Sequence, residues 1–304
     1  MPLITFLKTY MISCINNQLN IFIMKKVVLS VSAMLVSVFG FAQANTSNVA
    51  QSGATQTSIV TQNGGANSSD VDQFGVNNKS EVYQGVKPNT YNAKDNKAVV
   101  NQDGTSNSGF ISQSNKNNEA YQTQTGARNS ATIWQDQVVG SATALGGNDK
   151  AWQTQTGRDN KATIDQGTTG NDKPTGSPFS VSQIAAANGV AVPVDPHNNN
   201  QATQTQVGDF NTAYASQGGV TNKSYQTQTS PGGTIAADKN VSNHYQYGTS
   251  NLATTLQNGK KLTQNSLQIG ANNTSWVSQT GYGHSSVNYQ NGAGNSITVT
   301  QTGL

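Results

Sequence analysis

Cysteine occurs once in this chain of 304 residues, at Cys14. Charged residues make up only 10% and aromatic residues 7%. So few large apolar side chains and charges exclude an ordinary globular domain, whose surface is about a quarter charged. Asn, Gln, Ser, Thr and Gly fill the space instead. Such chains are either disordered or prone to cross-β stacking, and regular spacing decides between the two. A single cysteine excludes a disulfide framework. Apolar runs are also scarce: the longest, residues 27–41, is short for a membrane span.

That run lies in "MKKVVLSVSAMLVSVFGFAQA", residues 24–44. Lys25 and Lys26, the apolar stretch and the small residues that close it predict a secretory signal peptide, cleaved after Ala42 or Ala44. Residues 1–23 read as a misassigned upstream extension before a better start at Met24. The formal charge of +3 then disappears. Lys8, Lys25 and Lys26 precede Asn45, and the remainder holds 14 basic and 14 acidic residues. No basic stripe is left for nucleic acid or anionic lipid, and no membrane insertion of the mature chain is expected.

What the sequence has in abundance is a repeat of eleven residues: Asn-x-small-x-(Val/Ile/Gln)-x-Gln-x-Gly-x-x. Units start at 45, 56, 67, 78, 96, 107, 118, 129, 149, 160, 200, 211, 222, 240, 251, 262, 273, 284 and 295, with a degenerate one at 177. Position seven is Gln in all of them. These glutamines are Gln51, Gln62, Gln73, Gln84, Gln102, Gln113, Gln124, Gln135, Gln155 and Gln166. They continue with Gln206, Gln217, Gln228, Gln246, Gln257, Gln268, Gln279, Gln290 and Gln301. Positions one, three, five and seven are restricted, whereas four and six vary freely. Period two means a strand with one restricted face, which should point inward. Glycine at nine and its neighbours then make the turn.

Identical amides one strand spacing apart, ~4.8 Å, can hydrogen-bond along a stack. A lone buried amide would cost roughly 1–3 kcal/mol, and a continuous ladder removes that cost at every level. Val49, Val60, Val71, Val82, Val100, Ile111, Ile133 and Ile164 supply an apolar seam at position five. "YQTQTG" at 121, "WQTQTG" at 152, "TQTQVG" at 203 and "YQTQTS" at 225 place Gln there instead. Two strand types therefore alternate and the true period is 22: an all-β, two-sheet solenoid of strand–turn–strand coils over 45–304. About ten coils would stack to roughly 50 Å. If the four Gln-x-Gln strands share one sheet, residues 167–199 hold no strand or two, never one. Every proline past the signal lies in an insertion or in the degenerate unit, where it removes no ladder donor. The insertions near 86–95, 136–148, 167–199 and 230–239 are expected to be exposed loops that interrupt aggregation-prone runs.

The spacing Asn-x5-Gln-x4-Asn-x5-Gln in "NSGFISQSNKNNEAYQ" (107–122), leading to Gln124, resembles the curlin repeat. The resemblance covers roughly 45–304. Curlins are subunits of curli, the functional amyloid fibres of bacterial biofilms. The resemblance implies export as an unfolded chain through outer-membrane secretion machinery, then nucleated polymerisation at the cell surface with a nucleator subunit. The family's stacking residues map onto the glutamines above and onto position-one asparagines such as Asn107, Asn118, Asn129, Asn251, Asn273 and Asn295. This chain departs in having Asn where the family usually has Ser, longer insertions and more repeats.

No catalytic, metal or cofactor constellation stands out. His197, His244 and His284 are isolated, with His284 at position one and His244 at position five. "GGND" at 146–149 resembles a calcium-binding repeat but occurs once. The repeat runs from just past the expected cleavage site to Leu304 without atypical capping units, which ordinary solenoids use to stay soluble. A fibre subunit is the leading expectation. A monomeric ligand-binding solenoid, a surface adhesin or an ice-binding protein, is the alternative. Its Thr-x-Thr pairs occur at Thr123/Thr125, Thr154/Thr156, Thr227/Thr229 and Thr300/Thr302, and Asp72, Tyr83, Trp134 and Asp165 are expected to break any flat array at position six. A carbohydrate-active β-helix enzyme would need clustered carboxylates, and only Asp70 and Asp72 lie close together.

Overall fold

A computed structural model describes residues 44–85, 93–135, 147–167 and 198–303. The strands in chain order begin with β1 (Thr46–Ala54), β2 (Thr57–Gln62), β3 (Gly64–Gly65), β4 (Ser68–Val76), β5 (Lys79–Gln84), β6 (Ala93–Lys94) and β7 (Lys97–Thr105). They continue with β8 (Ser108–Gln113), β9 (Glu119–Ala127), β10 (Ser130–Gln135), β11 (Lys150–Arg158), β12 (Lys161–Gln166), β13 (Gln201–Asp209) and β14 (Thr212–Val220). The last are β15 (Lys223–Thr229), β16 (Val241–Thr249), β17 (Leu252–Lys260), β18 (Thr263–Ala271), β19 (Thr274–Tyr282), β20 (Ser285–Ala293) and β21 (Ser296–Thr302).

Two parallel sheets hold almost all of them. One, sheet A, has ten strands in the order β1-β4-β7-β9-β11-β13-β15-β17-β19-β21; the other, sheet B, has nine in the order β2-β5-β8-β10-β12-β14-β16-β18-β20. The tiny β3 and β6 pair separately at one turn. Each strand of one sheet is the crossover for the next strand of the other, which is what lets so short a unit build parallel sheets. The fold is a two-sheet β-solenoid.

Register follows the eleven-residue unit without slippage. Gln102 lies beside Gln124 and Gly104 beside Gly126; Gln135 lies beside Gln166. A one-residue slip would turn every inward side chain to solvent, so the pattern fixes the register strongly. Between β12 and β13 the stack closes directly: β13 pairs with β11 and β14 with β12. The degenerate unit at 177 lies outside the described residues.

The Gln-x-Gln strands β9, β11, β13 and β15 are neighbours in sheet A. Inside the stack, Val71, Val82, Val100, Ile111, Ile133 and Ile164 are fully buried, with Ala98, Ala120, Ala151 and Ala202 at position three beside them. Small residues there let the sheets approach closely. Val49 and Val60 depart from the expected seam. Val49 is 44% exposed and Val60 only partly buried, because the first coil has a neighbour on one side only.

The turns use two left-handed residues. Gly126 (φ 115) is pressed against the next coil: a Cβ there would sit 2.0 Å from the carbonyl oxygen of Gly157. Position eleven is also left-handed, yet it is seldom glycine; Ser106 (φ 57), Arg128 (φ 54), Phe210 (φ 58) and Lys261 (φ 57) all adopt it. That costs roughly 1–2 kcal/mol per L-residue, which neighbouring coils over-determine.

Of the expected insertions, only 230–239 is fully described. It is mostly exposed and holds a 3-10 turn at Ala236–Asp238. Residues 86–92, 136–146 and 168–197, like the expected signal segment 24–43 and residues 1–23, lie outside the described residues. The outer face is not uniformly exposed. On β14, β16 and β18, Tyr214, Tyr245, Tyr247, Leu267 and Ile269 form a second buried apolar cluster. Tyr214 and Tyr245 pack with ring centroids 5.5 Å apart, and Ser216 hydrogen-bonds the Tyr247 hydroxyl at 2.7 Å.

Candidate assembly site: amide ladders and open edges

Position seven points inward from every strand, so its glutamines meet across coils. In sheet A the Nε2 of Gln51 donates to the Oε1 of Gln73 at 2.6 Å, Gln73 to Gln102 at 2.7 Å and Gln102 to Gln124 at 2.7 Å. The same donation runs through Gln155, Gln206, Gln228, Gln257 and Gln279 to Gln301 without a gap. Sheet B repeats it from Gln62 through Gln84, Gln113, Gln135, Gln166, Gln217, Gln246 and Gln268 to Gln290.

The second amide hydrogen crosses to the other sheet. Gln113 donates to the Lys97 carbonyl at 2.9 Å and Gln124 to that of Ser108 at 3.1 Å. One side chain thus ties its own sheet together along the axis and the two sheets together across it. A shorter third ladder at position five joins Gln122, Gln153, Gln204 and Gln226.

Asparagine at position one does different work. Its Oδ1 accepts the backbone N–H of the next coil: Asn118 accepts from Asp149 at 3.0 Å, Asn107 from Asn129 at 3.0 Å, Asn251 from Asn273 at 3.1 Å and Asn273 from Asn295 at 3.1 Å. Its Nδ2 donates to a turn carbonyl, as from Asn129 to Gly157 at 2.9 Å. The site therefore needs an amide that accepts and donates at once, which a hydroxyl at the end of a shorter side chain supplies less fully. Sequence reasoning found these residues but not the left-handed position eleven, although Asn77, Asp95, Asn117, Asn148, Asp159, Asn199 and Asn272 there are types that favour that conformation.

The two edges of the stack are complementary. Every ladder bond points the same way, so the edge at β20 and β21 presents the amide donors of Gln290 and Gln301, and the edge at β1 and β2 the acceptor oxygens of Gln51 and Gln62. All nine residues of β1 are exposed. Val287 and Tyr289 on β20 are 58% and 40% exposed.

His244 departs from the ladder chemistry. It is fully buried at position five, with Nδ1 2.8 Å from Ser224 Oγ and Nε2 2.7 Å from Thr255 Oγ1. Burial pushes its pKa down to about 3, so the imidazole is neutral. His284 sits near the C-terminal edge, its Nε2 3.0 Å from the Thr280 carbonyl oxygen.

The outer faces differ from expectation in one respect. Of the four residues expected to interrupt a threonine array, Asp72 does lie on sheet A, two coils before the first threonine, whereas Tyr83, Trp134 and Asp165 lie on sheet B. On sheet A, position six is threonine on four successive coils, Thr123, Thr154, Thr205 and Thr227. Beside it, Tyr121 and Trp152 stack with centroids 6.0 Å apart and planes within 3°. Among the described residues no group of three His, Cys, Asp or Glu could hold a metal ion, and no helix is long and apolar enough to cross a membrane.

Stacked parallel coils with internal amide ladders define a β-solenoid of amyloid-like build. Residues 267–303, which span most of β18 to β21, match the model of the curlin associated repeat. Among curated proteins none matches the chain.

Proposed function

We propose that the protein is a structural subunit of extracellular curli-like fibres, assembled by stacking the open coil edge of one copy on that of the next. The observation that carries this is the pair of unbroken glutamine ladders, each ending in a donor at one edge and an acceptor at the other. Unpaired edge strands template addition, and an incoming copy would satisfy these groups as each coil satisfies its neighbour. The partner is therefore the chain itself. A nucleator subunit, outer-membrane secretion machinery, a signal-directed route and a place in the biofilm matrix and in adhesion belong to the same reading, supported by the curlin match at 267–303.

The test is dilution of the purified chain from denaturant, followed by thioflavin fluorescence with and without preformed seeds. A lag that seeds abolish is expected. A stable soluble monomer with β-rich circular dichroism and no seeding would contradict it. A second reading is favoured by the threonine column at position six of sheet A, Thr123, Thr154, Thr205 and Thr227, a four-coil row that could order water or meet ice. Inhibition of ice recrystallisation by that soluble monomer, lost on Thr154→Tyr, would establish it.

A further inference from the structure

The two sheets do not hold equal numbers of strands. Among the described residues sheet A has ten and sheet B nine. β1 and β21, the strands at the two edges of the stack, both belong to sheet A. This bears on how two copies can meet, given the end-to-end stacking proposed above.

Suppose a second copy were added by translation along the axis, with its β1 placed on β21. Sheet A would continue evenly. Sheet B would not, because β20 stands one level below β21 in chain order and the partner's β2 stands one level above its own β1. One strand would be missing from sheet B at every junction. The ladder that ends at Gln290 would find no acceptor, and a slot one strand wide would open in the core.

A half-turn about the axis removes the defect. The second copy's β1 then lies on β20 and its β2 on β21, so that its sheet A continues sheet B and its sheet B continues sheet A. Strand directions agree, because consecutive strands of a coil run oppositely and the rotation reverses them once more. The register also agrees, because both sheets are built from the same eleven-residue unit. The backbone bond that starts a strand is the same in each: Thr46 N–H donates to Asn67 O at 2.8 Å in sheet A, and Thr57 N–H to Asn78 O at 2.9 Å in sheet B. The second copy's first unit takes the place that a further unit of this chain would take.

We infer that adjacent copies in the fibre are related by a half-turn screw, so that Gln290 donates to Gln51 and Gln301 to Gln62 of the next copy, and each face of the fibre shows sheet A and sheet B alternately. The inward contacts it creates include Val60 on Val299 and Ser47 on Ser286, which are well matched, and Val49 on Asn288, Ser58 on Ile297 and Asn45 on His284, which are not. Translation would match Val49 with Val299. Strand count, not side-chain identity, decides between the two. A consequence is that neither the threonine column nor the buried tyrosine cluster forms a continuous stripe along one side of the fibre.

Cysteine pairing tests this in the full chain carrying Cys14→Ser. Outward positions in adjacent parallel strands bring Cα atoms within the range of roughly 4.4–6.8 Å that a disulfide bridges. Under the half-turn, Asn48 of one copy meets Val287 of the other; under translation it meets Thr298. Fibres of the Asn48→Cys/Val287→Cys variant, oxidised and then denatured, should run as a ladder of covalent multimers, and those of Asn48→Cys/Thr298→Cys as monomers. The reverse outcome, equal pairing, or no pairing in either variant although fibres form, overturns the half-turn and leaves the fibre reading standing. Absence of fibres from the Cys14→Ser parent overturns both. Helical reconstruction of unmodified fibres gives a second readout that needs no substitution. A rotation near 180° with a rise of about 46 Å per copy is expected, against little rotation and about 48 Å for translation.

Discussion

The coils before residue 167 and those after 198 share one scaffold and differ in what fills it. In the first, the sheet B seam is Val82, Ile111, Ile133 and Ile164, all fully buried. In the second, the same column reads Ala215, His244, Ser266 and Asn288, facing Ser224, Gln226 and Thr255 of sheet A. The sheet B seam is hydrocarbon in the first and carries buried hydrogen bonds in the second, whose apolar burial has moved to the outer cluster of Tyr214, Tyr245, Tyr247, Leu267 and Ile269. Both keep the glutamine ladder at position seven and the position-three contact. The amide ladder is thus the constant element, and position five is free to vary once the ladder has set strand, register and sheet spacing.

Five tests, two of them paired substitutions, break or sharpen that comparison, in descending order of the largest effect in each. Gly126→Ala forces a Cβ against the Gly157 carbonyl, from a backbone conformation suited to glycine. It should cost roughly 4 kcal/mol in either half, since strain and overpacking each contribute about 1–3 kcal/mol. Denaturant titration of the folded chain measures it. Ile133→Ala should cost about 3 kcal/mol through loss of buried surface and the cavity left. Thr255→Ala, which removes one bond to His244, should cost nearer 1 kcal/mol. Equal costs would erase the distinction between the halves.

Gln124→Leu leaves the Gln102 donor and the Gln155 acceptor without partners. About 2–3 kcal/mol is expected from two unsatisfied buried groups, and Gln257→Leu in the polar half should cost the same.

The fourth is a pH effect confined to the polar half. His244 titrates at about 3 when folded and near the ordinary histidine value of 6.5 when unfolded. The unfolded chain therefore takes up a proton below 6.5 that the folded chain refuses. Stability is full above that pH and falls as pH drops toward 3, by about 2 kcal/mol at pH 5. The midpoint of denaturation at pH 5 and 7.5 should converge for His244→Ser; an unchanged pH difference would sink the assignment.

The smallest effect is a gain. Ser106→Gly relaxes a left-handed residue at position eleven, and the added freedom of the unfolded chain offsets part of the benefit, so a rise of less than about 1 kcal/mol is expected in thermal melts.

Much of this was legible in the sequence for a physical reason. Gln at position seven recurs on a strict period of eleven, and in a solenoid sequence period and spatial stacking are the same thing. The two-sheet fold and the 22-residue coil follow from the alternation of Val or Ile with Gln at position five. What was not legible is what the period does not encode. Asn and Asp recur at position eleven, but nothing in Arg128 or Phe210 themselves marks the left-handed conformation they adopt there. Burial of Tyr245 and Tyr247 depends on Tyr214, Leu267 and Ile269 of the adjacent coils, on an otherwise variable face. The threonine pairs were legible, but the length of the row at position six was not, because alternate units belong to different sheets and Tyr83 and Trp134 never interrupt it.

The most direct measurement is X-ray diffraction from aligned fibres of the purified chain. Ladders that continue from copy to copy predict a sharp meridional reflection near ~4.8 Å and an equatorial one near ~10 Å. Failure to form fibres, or fibres without the meridional reflection, would contradict stacking of these coils end to end.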